Sequence, residues 1–163
     1  MKKKGERKLR IGWFSFACCE DSTIMMTELM NERWQEWKKK IDFAYARVLQ
    51  SHNELRNIDV AFVEGAIATD EDAKKVKEIR ANSKYIVAIG ACAVDGMPAA
   101  QRNMFDIRTK KEIHVILARF KHREKVVPIK EIIKVDDFVP GCPMQEDLFL
   151  EKLSKYMKMF GVK

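Results

Sequence analysis

IDVAFVEG, residues 58 to 65, packs five apolar side chains into six positions and stops at a charged residue and a glycine. The run is too continuous for a strand with one wet face and too short for a helix. It reads as a strand buried on both faces, the kind that parallel sheets use. The next stretch fits. Thr69 or Asp70 is an N-cap for a helix over DEDAKKVKEIRANS, residues 70 to 83, and YIVAIG, residues 85 to 90, is a second buried strand. Strand, helix, strand within about thirty residues is the repeating unit of an α/β domain.

The same alternation extends both ways. Upstream, KLRIGWFSFA (8 to 17) is a first strand rich in β-formers. Asp21 or Ser22 then caps a helix over residues 23 to 40, with Met25, Leu29 and Trp37 on its inner face, and FAYARVL (43 to 49) alternates as a strand. Downstream, 109 to 122 is expected to be helical and KEIIKV (130 to 135) a short strand. PGCP (140 to 143) is a rigid turn, and 145 to 160 is a closing amphipathic helix. No repeat, low-complexity segment or linker interrupts the chain. The expectation is one α/β domain over residues 1 to 163 with a mostly parallel sheet and a basic tail over 1 to 8.

Composition narrows the classes. The chain has 163 residues, 47% apolar and 34% charged, which fits a globular domain with a heavily charged surface. No apolar run reaches the roughly 18 to 20 residues of a spanning helix. The start, MKKKGERKLRIGWFSFACC, imitates a secretion signal, but no small-residue cleavage site follows its apolar part. The net charge of +7 raises nucleic acid as a partner. Yet six basic residues crowd the first ten positions, and most others alternate with acids, as in DEDAKKVKEIR. A solvated surface explains that pattern.

Four cysteines, at 18, 19, 92 and 142, are too few for a disulfide scaffold. A bridge between neighbours 18 and 19 would close a strained ring. In an open parallel sheet the loops after the strands gather at one edge, where ligands bind. Cys18 and Cys19 follow the first strand, Cys92 follows YIVAIG, and Cys142 follows KEIIKV. All four are therefore expected at one edge, which suits a [4Fe–4S] cluster or a four-cysteine zinc site. Gaps of 0, 72 and 49 intervening residues are unlike the short local pairs of structural zinc. The competing reading is four packed thiols with no ligand role. Gly90, Pro140, Gly141 and Pro143 would shape tight loops round a bound group.

Taken together, the adjacent cysteines, IDVAFVEGAI, AIGACAVDGMP and VPGCPMQE resemble the small subunit of [NiFe] hydrogenases and the related 20 kDa subunit of respiratory complex I, from about Arg10 to Leu150. The resemblance implies a flavodoxin-like three-layer domain holding one [4Fe–4S] cluster. Cys19, Cys92 and Cys142 match family ligands. Hydrogenase small subunits usually carry C-x-x-C, whereas the position three before Cys19 is Phe16. Adjacent cysteines resemble the complex I relatives and make Cys18 the fourth ligand. AIGACAVDGMP is nearer the hydrogenase side, so the chain mixes features of both branches.

The implied function is electron relay in a cytoplasmic, heteromeric oxidoreductase. A [NiFe] large subunit would carry the chemistry on H2, and a further iron–sulfur or flavin protein would take the electrons. Many hydrogenase small subunits continue into a domain with two more clusters, so the expectation here is a minimal single-cluster form. Glu20 is a candidate proton route at the subunit boundary, or simply an acid at a helix start. Glu64 is a candidate cap for neighbouring loops. The implied alternative is a complex I-like quinone or ferredoxin oxidoreductase subunit. Rivals from other classes are a basic, metal-binding nucleic-acid module and a flavin carrier. ACCEDS lacks the glycines or the Ser/Thr run of a flavin phosphate loop, and no nucleic-acid signature is present.

Overall fold

The computed structural model describes residues 7–162. The chain runs β1 (Leu9–Ser15), α1 (Asp21–Lys40), β2 (Ile41–Ala46), β3 (Ile58–Glu64), β4 (Ile67–Thr69), α2 (Asp70–Ala81), β5 (Ser83–Ile89), α3 (Gly90–Asp95), α4 (Ile107–Arg119), β6 (His122–Val127), β7 (Asp137–Val139) and α5 (Glu146–Met159). Short 3-10 turns cover Gln101–Met104 and Ile129–Glu131.

Five strands pair in parallel in the order β2-β1-β3-β5-β7, while β4 and β6 form a separate antiparallel pair. That is the strand order of flavodoxin-like sheets, and its direction reverses between β1 and β3. The sheet is the middle of three layers. On one face Trp13, Phe62 and Ile89 pack against Met26 and Trp37 of α1 and Phe149 and Tyr156 of α5. On the other, Val63, Ile86 and Ala88 pack against Val76 and Ile79 of α2. β3 is buried along its whole length, as its apolar run requires. Each large side chain so buried contributes about 1.5–3 kcal/mol.

Local chemistry fixes the ends. Thr69 caps α2 as expected: its hydroxyl accepts from Asp72 N, and the Asp72 carboxylate accepts from Thr69 N, both at 3.0 Å. α1 departs from expectation. Its N-cap is Glu20, at φ 64, with no side-chain hydrogen bond of its own. The inner face carries Met26 rather than Met25, which is only half-buried. α1 starts two residues before the expected helix, and Ser22, Met26 and Leu29, spaced by four and three residues, form its buried face. β2 ends at Ala46, earlier than the alternation in FAYARVL suggests, because Leu49 N and Gln50 N both turn back to the Ala46 carbonyl.

KEIIKV is not a strand. Pro128 opens a 3-10 turn, and Ile129 is fully buried against the α2 face of the sheet. Ile132, Ile133 and Val135 pack there without pairing. Pairing resumes at Asp136. Its N–H donates to the Ile86 carbonyl at 2.9 Å, its carboxylate accepts from Ile86 N at 2.8 Å, and Arg80 Nη1 holds the same carboxylate at 2.6 Å. The true edge strand is β7. The helix expected over 109 to 122 is α4, capped by Asp106, whose carboxylate accepts from Thr109 N at 2.7 Å. Its expected last residue, His122, instead starts β6, a strand that the sequence does not announce.

Residues 1–6 of the expected tail lie outside the described residues. The two that are described are engaged: Arg7 pairs with the buried Asp59 at 3.4 Å, and Lys8 Nζ donates to the Lys38 carbonyl at 2.6 Å.

Asp137 ties β7 to α5. Its carboxylate takes Lys155 Nζ, Lys152 Nζ at 2.9 Å and the Tyr156 hydroxyl at 3.0 Å. Burial pushes its pKa up, but these three donors outweigh it and hold it below the usual carboxylate value. A depressed folded pKa contributes stability that is present above the unfolded value and lost as pH falls through the folded one. Asp137→Asn is therefore expected to cost about 1–2 kcal/mol near neutral pH. The gap should close as pH drops below about 4. Urea denaturation of both proteins across pH checks this, and a gap that persists unchanged to pH 2 overturns it.

Candidate functional site

Three loops meet outside the carboxyl ends of β1, β5 and β7. After β1, Phe16 N donates to the Glu64 carbonyl at 2.9 Å, and Ala17 and Ala66 exchange a pair of backbone bonds at 3.0 and 2.9 Å. That pairing fixes the chain just before Cys18 and Cys19, which line a pocket with the end of β3 and the segments after β5 and β7. It also explains Gly65. Its φ is 88, and a Cβ there would stand 2.7 Å from the Phe16 carbonyl carbon. After β5, Cys92 sits in the first turn of α3 rather than in a loop, and is 6% exposed. After β7, Ala91 N donates to the Gly141 carbonyl at 2.7 Å, which draws the Cys142 turn onto α3. Gly141, at φ 115, would place a Cβ 2.5 Å from the Pro143 carbonyl oxygen.

All four cysteines line one pocket of about 230 Å³ counting the space at its mouth, together with Asp21, Ser22 and Glu64. All four are free thiols. Cys19 and Cys142 are exposed at the rim, Cys18 is half-buried, and Cys92 is deepest. Cys142 reaches the expected edge, but it follows β7 and not KEIIKV. As placed, no three His, Cys, Asp or Glu side chains among the described residues are gathered tightly enough to hold a single metal ion.

Glu64 is 3% exposed and answers a structural need. Its carboxylate accepts from Ser22 N at 3.0 Å and Thr23 Oγ1 at 2.6 Å. Thr23 Oγ1 in turn accepts from Trp13 Nε1 at 2.8 Å. Glu20 offers no cap, so a carboxylate from the end of β3 supplies one across the sheet and meets the positive end of α1. Ser22 ties in the third loop, because its hydroxyl accepts from Met144 N at 3.3 Å and faces Gly90. The sequence marks Ser22 only as a possible cap, and no periodicity or motif points to this second role. Glu20 itself is exposed beside the cysteine pair, and its carbonyl accepts from Ile24 N at 3.0 Å.

The pocket repels negative charge. Burial, and after it the Glu64 carboxylate, push the Cys18 thiol up to about 12. Burial raises Cys92 too. A backbone hydrogen bond from Ala99 opposes it, and Cys19, Cys142 and Glu64 add to the rise. No Lys, Arg or His is among the lining residues. Thiols held neutral in this way become thiolates when a cationic group takes the place of their protons. A metal-containing core fits such a donor set.

His52, His114 and His122 stand away from the pocket, and no helix of the described residues is long and apolar enough to cross a membrane.

Comparison with known proteins agrees with the fold. Residues 18–156 match the family model described as the 20 kDa subunit of NADH ubiquinone oxidoreductase. The chain is 29% identical to the G subunit of the F420-non-reducing hydrogenase of Methanothermobacter marburgensis, over 93% of this chain and 54% of that one. It is 25% identical to the delta subunit of the NAD-reducing hydrogenase HoxS of Cupriavidus necator, over 91% of this chain and 78% of that one. It spans about half the length of the Methanothermobacter relatives it matches. Among solved structures, a chain of an NAD+-reducing [NiFe]-hydrogenase in the H2-reduced state superposes with a TM-score of 0.77 at 24% identity, covering 96% of this chain and 94% of that one.

Proposed function

The chain belongs to the family of the NADH ubiquinone oxidoreductase 20 kDa subunit, and from that premise we propose that it is the electron-transfer small subunit of a [NiFe] hydrogenase. In this reading residues 1 to 163 are one domain of a cytoplasmic complex. Cys18, Cys19, Cys92 and Cys142 hold one [4Fe–4S] cluster. The observation that carries the proposal is four thiols, from the loops after β1 and β7 and the first turn of α3, lining one pocket outside the carboxyl ends of the sheet strands. Relatives named as hydrogenase subunits support it.

Bound there, the cluster would supply one-electron transfer between the large subunit's nickel–iron site and an iron–sulfur or flavin acceptor. The chain's own residues do the rest. The four cysteines provide thiolates. Glu64 fixes the start of α1, and so the direction in which Cys18 and Cys19 point. Gly65 and Gly141 let two loops close without a side chain in the way. Glu20, exposed beside the cysteine pair, is the group that would pass protons across the subunit boundary. One observation favours a second reading, a complex I-like quinone or ferredoxin oxidoreductase subunit: the cysteines at 18 and 19 are adjacent rather than spaced as C-x-x-C.

Iron and acid-labile sulfide on protein purified without oxygen test the core of the proposal. About four of each per chain is the expected result for a four-cysteine cluster. Zinc in their place, or no metal at all, sinks electron relay and leaves a basic binding module to be tested for salt-sensitive affinity to nucleic acid.

A further inference from the structure

We propose that the lobe made of α4 and β6 is a docking groove for an acidic protein segment that carries an apolar ridge. The groove shares no lining residue with the cysteine pocket and does not depend on what that pocket holds.

The first observation is a helix with nothing to cover it. Ile113, Ile116, Leu117 and Phe120 fall at the i, i+3, i+4, i+7 spacing that a helix uses to face a core. Yet α4 has no buried residue. Ile116 is 57% exposed and Phe120 62%. Such a stripe is unusual on a finished surface and marks an interaction site.

The second observation is shape. Ile113 and Leu117 form the apolar wall of a groove of about 330 Å³ between α4 and β6, with Arg102, Lys110 and Lys111 among its other lining residues and Glu124 its one acid.

The third is charge. Residues 102 to 125 hold eight basic and three acidic side chains, a net of +5 out of +7 for the whole chain. Arg108 pairs with Glu112 and Arg123 with Asp70, while Lys110, Lys111 and Lys125 have no ion-pair partner among the described residues. Two buried guanidinium nitrogens, Arg102 Nε and Arg123 Nη1, also lack a hydrogen-bond partner there. Buried donors left open are rare and costly.

A basic, amphipathic helix could also lie on an anionic membrane, and a basic lobe on nucleic acid. The groove separates these from a protein. A bilayer receives a convex helix, whereas here half of the apolar stripe lines a concavity. Nucleic acid has no use for the stripe. An acidic helix laid into the groove uses both features.

The test uses the full chain with fluorescent probes: a synthetic helical peptide with leucines along one face and glutamates elsewhere, the same peptide with lysines for the glutamates, phosphatidylcholine vesicles containing phosphatidylglycerol, and a duplex DNA. The expected result is saturable binding of the acidic peptide alone. Lys110→Glu with Lys111→Glu should weaken it by about tenfold or more, and so should Ile116→Ser with Phe120→Ser, as hot-spot losses do. All four positions are exposed, so far-ultraviolet circular dichroism should be unchanged. Binding that survives the Ile116 and Phe120 changes would mean plain charge attraction and overturn the proposal. So would vesicles or DNA binding in preference to the acidic peptide, or no binding by any probe.

Discussion

Cys92→Ser is expected to strip the anaerobically purified chain of its iron and sulfide while leaving the fold in place. Cys92 is the deepest of the four thiols, held in the first turn of α3 and backed by the small side chains Ala66, Ala68 and Ala100. Serine is nearly the same size, so the packing survives. Its hydroxyl gives up a proton far less readily than a thiol and is a poor partner for iron. Burying that hydroxyl without an acceptor should cost the metal-free chain only about 1–3 kcal/mol. Cys142→Ser is the companion variant. Cys142 is exposed, so its serine carries no burial cost, and the same loss of iron there separates ligation from packing. Iron and sulfide by chemical assay, with melting of the metal-free chain as control, read the outcome. Wild-type iron in both variants would falsify the four-cysteine assignment.

The second large effect is expected at Glu64. Replacing it by alanine removes the acceptor for Ser22 N and the partner of Thr23 Oγ1, in a place that water does not reach. It also takes a negative charge from the positive end of a twenty-residue helix. The loss of a cap and of two buried hydrogen bonds together should destabilise the chain by about 2–4 kcal/mol. Glu64→Gln keeps one acceptor oxygen but turns an amide N–H2 toward a site built for donors, and should fall between, at about 1–2 kcal/mol. Equilibrium urea unfolding should show lower midpoints with unchanged slopes, the mark of a stability change alone. If both variants unfold with the wild type, the carboxylate does not anchor α1 and the account of the site's floor fails.

How much of the fold and the site is legible in the sequence depends on how local each cause is. β3 and β5 are plain because burial on both faces writes an unbroken apolar run. Thr69 is plain because a capping box is written within four residues. The gathering of the cysteines at one edge is legible because it needs only strand direction and the side on which loops emerge. KEIIKV misleads because an isoleucine buried by an irregular segment looks the same as one buried by a strand. Only the pairing of Asp136 with Ile86, fifty residues away, decides which it is. β6 is invisible because HREK holds no apolar residue, and among the described residues its strand partner is the three-residue β4. The cap on α1 comes from forty-two residues downstream, so no window on residues 20 to 23 could show it.

The strand order has a consequence for how the molecule is made. β1 meets β3, β3 meets β5 and β5 meets β7, always in parallel and always after an intervening excursion of the chain. Every pairing that brings the cysteines together therefore spans a long stretch of sequence and carries a large loop-closure cost, which makes such sheets slow to form. Cys18 and Cys19 leave the ribosome long before Cys142. No nascent chain that stops short of β7 contains the pocket, however well its own strands pair. Cys92 is thus the thiol that reports on folding: it is open to alkylating reagents in the unfolded chain and buried in the finished one, whereas Cys19 and Cys142 stay exposed in both.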